Sequence, residues 1–289
     1  MRSDFCTFII SHGRPDKVIT YKTLLSAGYT GKVYIVIDDE DKTAEQYRAK
    51  FPGIVLMFSK EAVSKTFDEG DNSDNRRTTS YARNACFDLA EQAGCKYFLV
   101  LDDDYIYFRF RFDENFKQKK ENTHIHAGID HILDAMIDFY ISSPCLSIAF
   151  SQGGDWIGGG FGAGSVRTRR KAMNSFFCST DRRFKFVGRL NEDVNTYVSL
   201  SGTGGLFLTT SQIQLEQSAT QAASGGMTEA YLDAGTYVKS FFTVMYAPSC
   251  VKVGAMGDHH YRVHHAINWN RAAPLILRES WRKPSPENT

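Results

Sequence analysis

The sequence predicts an α/β fold, a mostly parallel central sheet flanked by helices, and three observations carry that prediction. Over the first hundred residues, short apolar runs alternate with patterns of helical period. One run, Lys32–Ile37 (KVYIVI), is β-branched and almost continuously apolar, as a strand buried on both faces must be. Polar or acidic side chains then follow the first, second and fourth runs, where open parallel sheets bind their ligands.

Each element has a local reason. Phe5–Ile10 is a short apolar strand, and Pro15–Ser26 can follow it as a helix. Thr43–Phe51 reads as a helix stopped by Pro52-Gly53, and Ile54–Ser59 as the third strand. Residues 60–78 are polar and charged and read as a long surface loop. Thr79–Ala93 carries Tyr81, Ala85, Cys86 and Leu89 at helical spacing, capped by Thr/Ser and ended by Gly94. Lys96–Leu101 is the fourth strand and delivers Asp102 at its carboxyl end. Further on, His126–Tyr140 is an amphipathic helix, Cys145–Phe150 a strand, and 152–164 a glycine-rich loop holding Trp156 and Phe161. A turn into a strand is expected at 200–209, a helix at Thr228–Phe241, and one or two strands in Val244–Val253, with a loose tail from Pro274. With no repeat or linker, 1–289 is expected to be one domain, about 1–110 forming a nucleotide half and about 111–289 an acceptor half.

A formal charge of +1 gives no global pull toward nucleic acid or anionic membranes, so such a partner needs a local patch. The six cysteines show no C-x-x-C spacing, which suits reduced thiols and a cytoplasmic setting. No signal peptide is expected, because Met1–Phe5 runs straight into a strand, and no apolar run approaches the roughly 20 residues that cross a bilayer.

Asp102-Asp103-Asp104 is the strongest chemical signal. In extended chain, residues i and i+2 share a face, so Asp102 and Asp104 can converge on one cation while Asp103 points away. Adjacent carboxylates after an apolar strand are costly unless neutralised, and Mg²⁺ or Mn²⁺ both neutralises them and bridges phosphate oxygens. A solvated turn is the plain alternative. Arg83, near the start of the preceding helix, can offer a planar fork to a diphosphate or simply lie on the surface. Ser11–Arg14, with Gly13, and Asp38/Asp39 occupy the other two strand ends, as ligands of a base or ribose or as loop caps. Asn191-Glu192-Asp193 has two readings: an Asn cap with two acids complementing the helix dipole, or a general base that deprotonates an acceptor hydroxyl. Four of the eight histidines fall within His259–His265, where one can complete a metal shell and Arg262 can stabilise a leaving phosphate. A zinc site and a structural cluster compete with that reading. Arg167/Arg169/Arg170/Lys171, Arg182/Arg183 and Arg189 suit a polyanionic acceptor or a solvated basic face.

The order Ser11-His12-Gly13-Arg14-Pro15, Asp38-Asp39, Ser80–Asn84, Asp102-Asp103-Asp104 and Asn191-Glu192-Asp193 resembles glycosyltransferases of the GT-A (Rossmann-like) fold. Asp102-x-Asp104 matches their D-x-D motif, and Asp193 the base position of the inverting members. More narrowly, SHGRP, RRKAMNSFF at 169–177, GTGGLF at 202–207 and HYRVHH at 260–265 resemble the TET-associated glycosyltransferases of tailed bacteriophages. The resemblance implies a hexosyl- or pentosyltransferase moving a sugar from a UDP-sugar donor to a hydroxymethylated pyrimidine in phage DNA, such as 5-hydroxymethylcytosine, in the host cytoplasm. It implies Mn²⁺ or Mg²⁺ at Asp102 and Asp104, closed by His264 or His265, with Asp103 and Arg262 also at the donor. Asp38 or Asp39 would hold the base, supported by Arg14 and Arg83. Asp193, beside Glu192, would act as base, and the loop around Trp156 would receive a flipped base. A protein, lipid or glycan acceptor, a metal-dependent nuclease or phosphoesterase, and a binding module with a degenerate site are the competing readings.

Overall fold

A computed structural model describes the chain except for residues 72, 74, 75, 116–122, 157–172, 218–237, 257–261 and 284–289. Strands β1 (Phe5–Ile10), β2 (Lys32–Asp38), β3 (Val55–Phe58) and β4 (Tyr97–Asp102) run parallel in the order β3-β2-β1-β4. Between them come α1 (Ile19–Ser26), α2 (Ala44–Lys50), α3 (Lys60–Ser64) and α4 (Thr79–Gln92). After β4 follow β5 (Tyr105–Phe110), α5 (Ile129–Ser142), β6 (Cys145–Ser151), β7 (Phe176–Ser179), α6 (Glu192–Gly202) and β8 (Leu206–Gln217). The sheet has eight strands in the order β3-β2-β1-β4-β7-β6-β8-β5, of which only β7 and β5 oppose the rest. A helix, α7, is described over 238–246. The antiparallel pair β9 (Val251–Met256) and β10 (Arg262–Ile267) and the short α8 (Trp269–Ala272) and α9 (Glu279–Arg282) complete the described chain.

All six residues of β1 are buried, and period-2 alternation divides them between two cores. Cys6, Phe8 and Ile10 face Tyr81, Ala85 and Leu89 of α4 and Tyr197 and Val198 of α6. Phe5 and Ile9 face Leu24 of α1, Tyr47 of α2 and Leu133 and Ile137 of α5. This two-sided burial is why the strands read as unbroken apolar runs.

The chain leaves β4 and re-enters the sheet at its far edge, as β5, after only Asp103 and Asp104. In a flat sheet those two strands would lie about 19 Å apart, whereas three Cα steps span at most about 11 Å. The sheet therefore curls, and the acidic triplet is the pivot of the curl. The strand β5 is absent from the sequence expectation, because it follows the acidic motif directly and its partner β8 lies over a hundred residues further on.

Other expectations shift. The stretch Pro15–Ser26 divides into a short turn over Pro15–Lys17 and α1. Helix α5 starts at Ile129, behind Gly128 at φ +83°, rather than at His126. The segment expected as loop from residue 60 opens with α3, whose Lys60 is buried. Residues 244–246 are helical, so the strand expected from Val244 begins at Val251. Residues 228–237 of the expected helix and 157–164 of the glycine-rich loop lie outside the described residues. Among the described residues, no helix is long and apolar enough to cross a membrane.

Gly188, in the loop that leads into α6, has φ +84°, and a Cβ there would lie 2.3 Å from Asn195 Nδ2 and 2.9 Å from Tyr246 Cε2. Asn195 cannot yield, because it donates to Leu190 O at 2.8 Å and accepts from Thr243 Oγ1 at 2.8 Å. Gly188→Ala is expected to cost about 2–4 kcal/mol, from left-handed strain and overpacking together, measured by urea denaturation.

Candidate functional site

The aspartate turn is pinned from beneath by α1. Thr20 Oγ1 donates to Asp102 O at 2.6 Å and accepts from Tyr105 N at 2.9 Å, while Thr20 N donates to Asp103 O at 3.1 Å. Asp103 turns fully inward. Arg14 grips it through Nε to Oδ2 at 2.8 Å and Nη2 to Oδ1 at 2.5 Å, and Ser11 Oγ donates to Oδ2 at 2.5 Å. Tyr47 OH, 2.6 Å from Ser11 Oγ, accepts from Arg14 N at 3.1 Å. Ser11, Arg14 and Asp103, all expected on the donor, are thus engaged with one another.

Asp102 faces the other way, toward Arg83, which is 2% exposed. Arg83 Nη2 donates to Asp102 Oδ1 at 3.1 Å, and Nη1 lies 2.9 Å from Glu192 Oε1. The second approach is off-axis for a hydrogen bond, so Nη1 is held there by charge. The guanidinium also lies 5.0 Å from the Phe176 ring centroid and 5.8 Å from that of Phe186. Thr79 Oγ1 donates to Glu192 Oε1, securing the pair from the first turn of α4. Burial pushes the Asp102 carboxyl up to about 6, with Asp104 and Glu192 adding to the rise and Arg83 opposing it. Burial pushes Asp104 up as well, against a hydrogen bond from Gln217 Nε2 to Oδ1 at 2.8 Å.

Helix α6 carries Glu192 and Asp193 in its first turn. Asn191 does not cap it through its side chain, contrary to the sequence expectation. It sits at φ +56°, and its amide donates to Lys239 O at 3.2 Å and Thr243 Oγ1 at 3.1 Å, and meets His265 Nδ1 at 3.0 Å. Asn191 therefore ties α6 to α7 and β10, which left-handed Asn tolerates better than most residues. Burial pushes Asp193 up to about 6, reinforced by Glu192 and opposed by Arg83. The structure thus brings His265 to the start of α6. The His264 and His265 rings lie 4.1 Å apart. Among the described residues, no three His, Cys, Asp or Glu side chains converge closely enough to hold a metal ion unaided. Arg262 opens β10 with its side chain outside the described structure, as are residues 257–261 and 157–172, including Arg167, Arg169, Arg170 and Lys171.

At the end of β2 the two aspartates part. Asp38 is buried, accepting from His12 Nδ1 at 2.7 Å and Lys60 Nζ at 3.0 Å. Burial raises its pKa, but His12 and Lys60 together outweigh burial and hold it below the usual carboxylate range. Asp39 is exposed and accepts from Lys60 N at 3.0 Å. Gly13 has φ +69° and donates its N–H to buried Asp41 at 2.8 Å. Lys60, Asp41, Thr20, Asn174 and Gln217 are parts of this edge that sequence reasoning missed. His12 falls within the expected Ser11–Arg14 group without a role of its own, Asn174 stands inside RRKAMNSFF, and Lys60 hides in a polar stretch.

The basic residues expected to face a polyanion are otherwise engaged where they are described. Arg182 donates to the carbonyls of Tyr140, Ser143 and Cys145, Arg183 pairs with Asp88 and Glu91, and Arg189 grips Asp71 at 2.7 Å.

Residues 5–226 match the family described as TET-Associated Glycosyltransferase. No curated protein matches the chain in sequence. Among solved structures, the chain is similar to glucosyl-3-phosphoglycerate synthase from Mycobacterium tuberculosis in complex with Mg²⁺ and uridine diphosphate, at 8% identity over 92% of this chain and 88% of that one, TM-score 0.45. It is likewise similar to that synthase with Mn²⁺, uridine diphosphate and phosphoglyceric acid, at 9% identity over 97% and 90% of the chains, TM-score 0.45.

Arg83→Met keeps the apolar stem but strands Asp102 and Glu192 without their cation. It is expected to destabilise the protein by about 3–5 kcal/mol, the usual cost of breaking a buried pair, read from urea denaturation at pH 7.

Proposed function

Because the chain belongs to the TET-associated glycosyltransferases, and so is a glycosyltransferase of the GT-A fold, we propose that it moves a sugar from a UDP-sugar to a hydroxymethylated pyrimidine in phage DNA by inverting single displacement. One observation carries the site assignment: Asp102 and Glu192 share the buried Arg83, so the end of β4 and the first turn of α6 form one site.

Asp193 is the proposed base. A group that must take a proton works best when its pKa lies near the working pH, and burial lifts Asp193 to about 6. Glu192 orients Arg83 and adds the negative charge that sustains the lift. Asp102 and Asp104 would hold Mn²⁺ or Mg²⁺. Both are hard oxygen donors, half-buried and mutually repelling, and a magnesium shell needs only one or two protein carboxylates, with phosphates and water supplying the rest. When bound, the ion supplies Lewis-acid stabilisation of the departing diphosphate. Exposed Asp39 is the better placed of the β2 pair to accept from a base or ribose, while Asp38 holds His12 and Lys60. Ser11, Gly13, Arg14 and Asp103 support the donor site by fixing the loop and turn around it. A histidine of β10 and Arg262 remain candidates to complete the donor site. The DNA acceptor rests on the family, and a target base inside a duplex would have to leave the stack.

Mass spectrometry of hydroxymethylated DNA incubated with Mn²⁺ and a panel of UDP-sugars is expected to show a pentose or hexose added per modified base. Transfer to a glycan but not to DNA would instead establish the other acceptor class. Asp193→Asn is expected to lower kcat by about 10²–10⁴-fold, and wild-type kcat/KM should fall with acid along a limb near pH 6. Activity of Asp193→Asn within a factor of three of wild type would remove Asp193 as base.

The raised pKa has a stability consequence of definite sign. The folded protein holds this proton more tightly than the unfolded chain, so the contribution is favourable in acid and is lost as pH rises from about 4 through about 6. Asp193→Asn, which cannot ionise, should therefore gain thermal stability relative to wild type between pH 5 and pH 7 in metal-free buffer. A constant difference in Tm would show that the shift is absent.

A further inference from the structure

The network behind Asp104 ends in an amide oxygen with nothing to accept. Asp104 can only accept, so Gln217 must present Nε2 to it, at 2.8 Å. Gln217 Oε1 then faces Asn174 and accepts from its Nδ2 at 3.0 Å. The charge of Asp104 thereby fixes the orientation of both amides. It leaves Asn174 Oδ1 as the open end, buried and without a hydrogen-bond partner. The Asn174 backbone holds the position, its carbonyl accepting from Arg83 Nη2 at 3.3 Å and Tyr105 OH at 3.1 Å.

A second unmatched amide follows the end of β6. Ile148 of β6 pairs with Phe177 of β7, and Phe150 N donates to Ser175 Oγ at 3.1 Å. Continued beyond the first residue of β7, that register would bring Asn174 level with Ser151, the residue before Gln152. Gln152 is 7% exposed, and its Nε2 is buried with no partner. Buried polar atoms without partners are rare in folded proteins and costly, so each calls for a physical reason. Here one unmatched acceptor and one unmatched donor sit at the edge that carries Asp102–Asp104.

The pair selects its ligand by chemistry. A phosphate or carboxylate cannot donate to Asn174, and a cation cannot accept from Gln152. A hydroxyl does both. We propose that Asn174 and Gln152 read a hydroxyl of the sugar being transferred, with Asn174 Oδ1 accepting and Gln152 Nε2 donating. They are specificity-determining residues of the donor site. The inference rests on the UDP-sugar reading above. It gives a role to Asn174 of the RRKAMNSFF stretch, which that reading leaves unused.

Calorimetric titration with Mn²⁺ separates the inference from its premise, comparing UDP with UDP-glucose, UDP-galactose and UDP-N-acetylglucosamine. Wild type is expected to bind one of these sugars more tightly than UDP. Asn174→Ala and, independently of the Gln217–Asp104 chain, Gln152→Ala are expected to leave UDP affinity within twofold while reducing the sugar's advantage about tenfold. Among monodeoxy analogues of that donor, one should lose the same factor against wild type and lose nothing further against the variants. Equal weakening of UDP and UDP-sugar would mean that Asn174 merely props Asp104, and would overturn the proposal. No loss in either variant, or equal binding of UDP and every UDP-sugar by wild type, would overturn it too, leaving water as the partner of both amides. Failure of wild type to bind UDP at all would instead bring down the donor reading, and this inference with it.

Discussion

Arg83 sits where β4 ends and α6 begins, its guanidinium between Asp102 and Glu192 and flanked by the Phe176 and Phe186 rings. Withdrawing a cation this far from water is expensive, and only carboxylates at hydrogen-bonding range offset the cost. Yet the balance does not close. Asp102, Glu192 and Asp193 are gathered around Arg83, with Asp104 next to Asp102, and burial, reinforced by repulsion among these carboxylates and opposed by Arg83, lifts Asp102 and Asp193 to about 6. The charge that Arg83 leaves uncompensated is what a divalent ion and a transferable proton would relieve. On the proposed reading, stability and function would draw on the same imbalance.

A second ion pair makes the first possible. Arg14 holds Asp103 in a bidentate grip inside the turn, with Ser11 and Tyr47 completing the cage. With its middle residue locked inward, the turn can swing the chain from the centre of the sheet to its far edge within two residues. Of three adjacent aspartates, one is structural. The other two are held by Arg83 and Gln217, so their positions are set by the protein's own contacts before any ligand arrives.

Much of this is legible in the sequence where chemistry and periodicity agree. The apolar runs of β1, β2 and β4 are visible because strands buried on both faces need no polar alternation. Asp103 does part from its neighbours, but within a turn held by Arg14 and not in the extended chain of period 2 that was expected. What stays hidden depends on long-range pairing. Arg14 looks like a donor ligand until Asp103, 89 residues away, claims it. Lys60 reads as loop because nothing local says that Asp38 awaits it. Asn191 looks like a helix cap because Asn before two acids usually is one, but tertiary contacts with α7 and β10 take its amide. Strand β5 is invisible because its partner β8 lies over a hundred residues further on.

The central claim is that Asp102 and Asp104 hold a divalent ion with the donor's diphosphate, and that α6 is brought to it through Arg83. Electron paramagnetic resonance of Mn²⁺ titrated into the protein with saturating UDP tests it directly. One ion bound per chain is predicted, lost in Asp104→Asn and kept in Asp193→Asn. Undiminished Mn²⁺ binding by Asp104→Asn, or its loss in Asp193→Asn, would contradict the account.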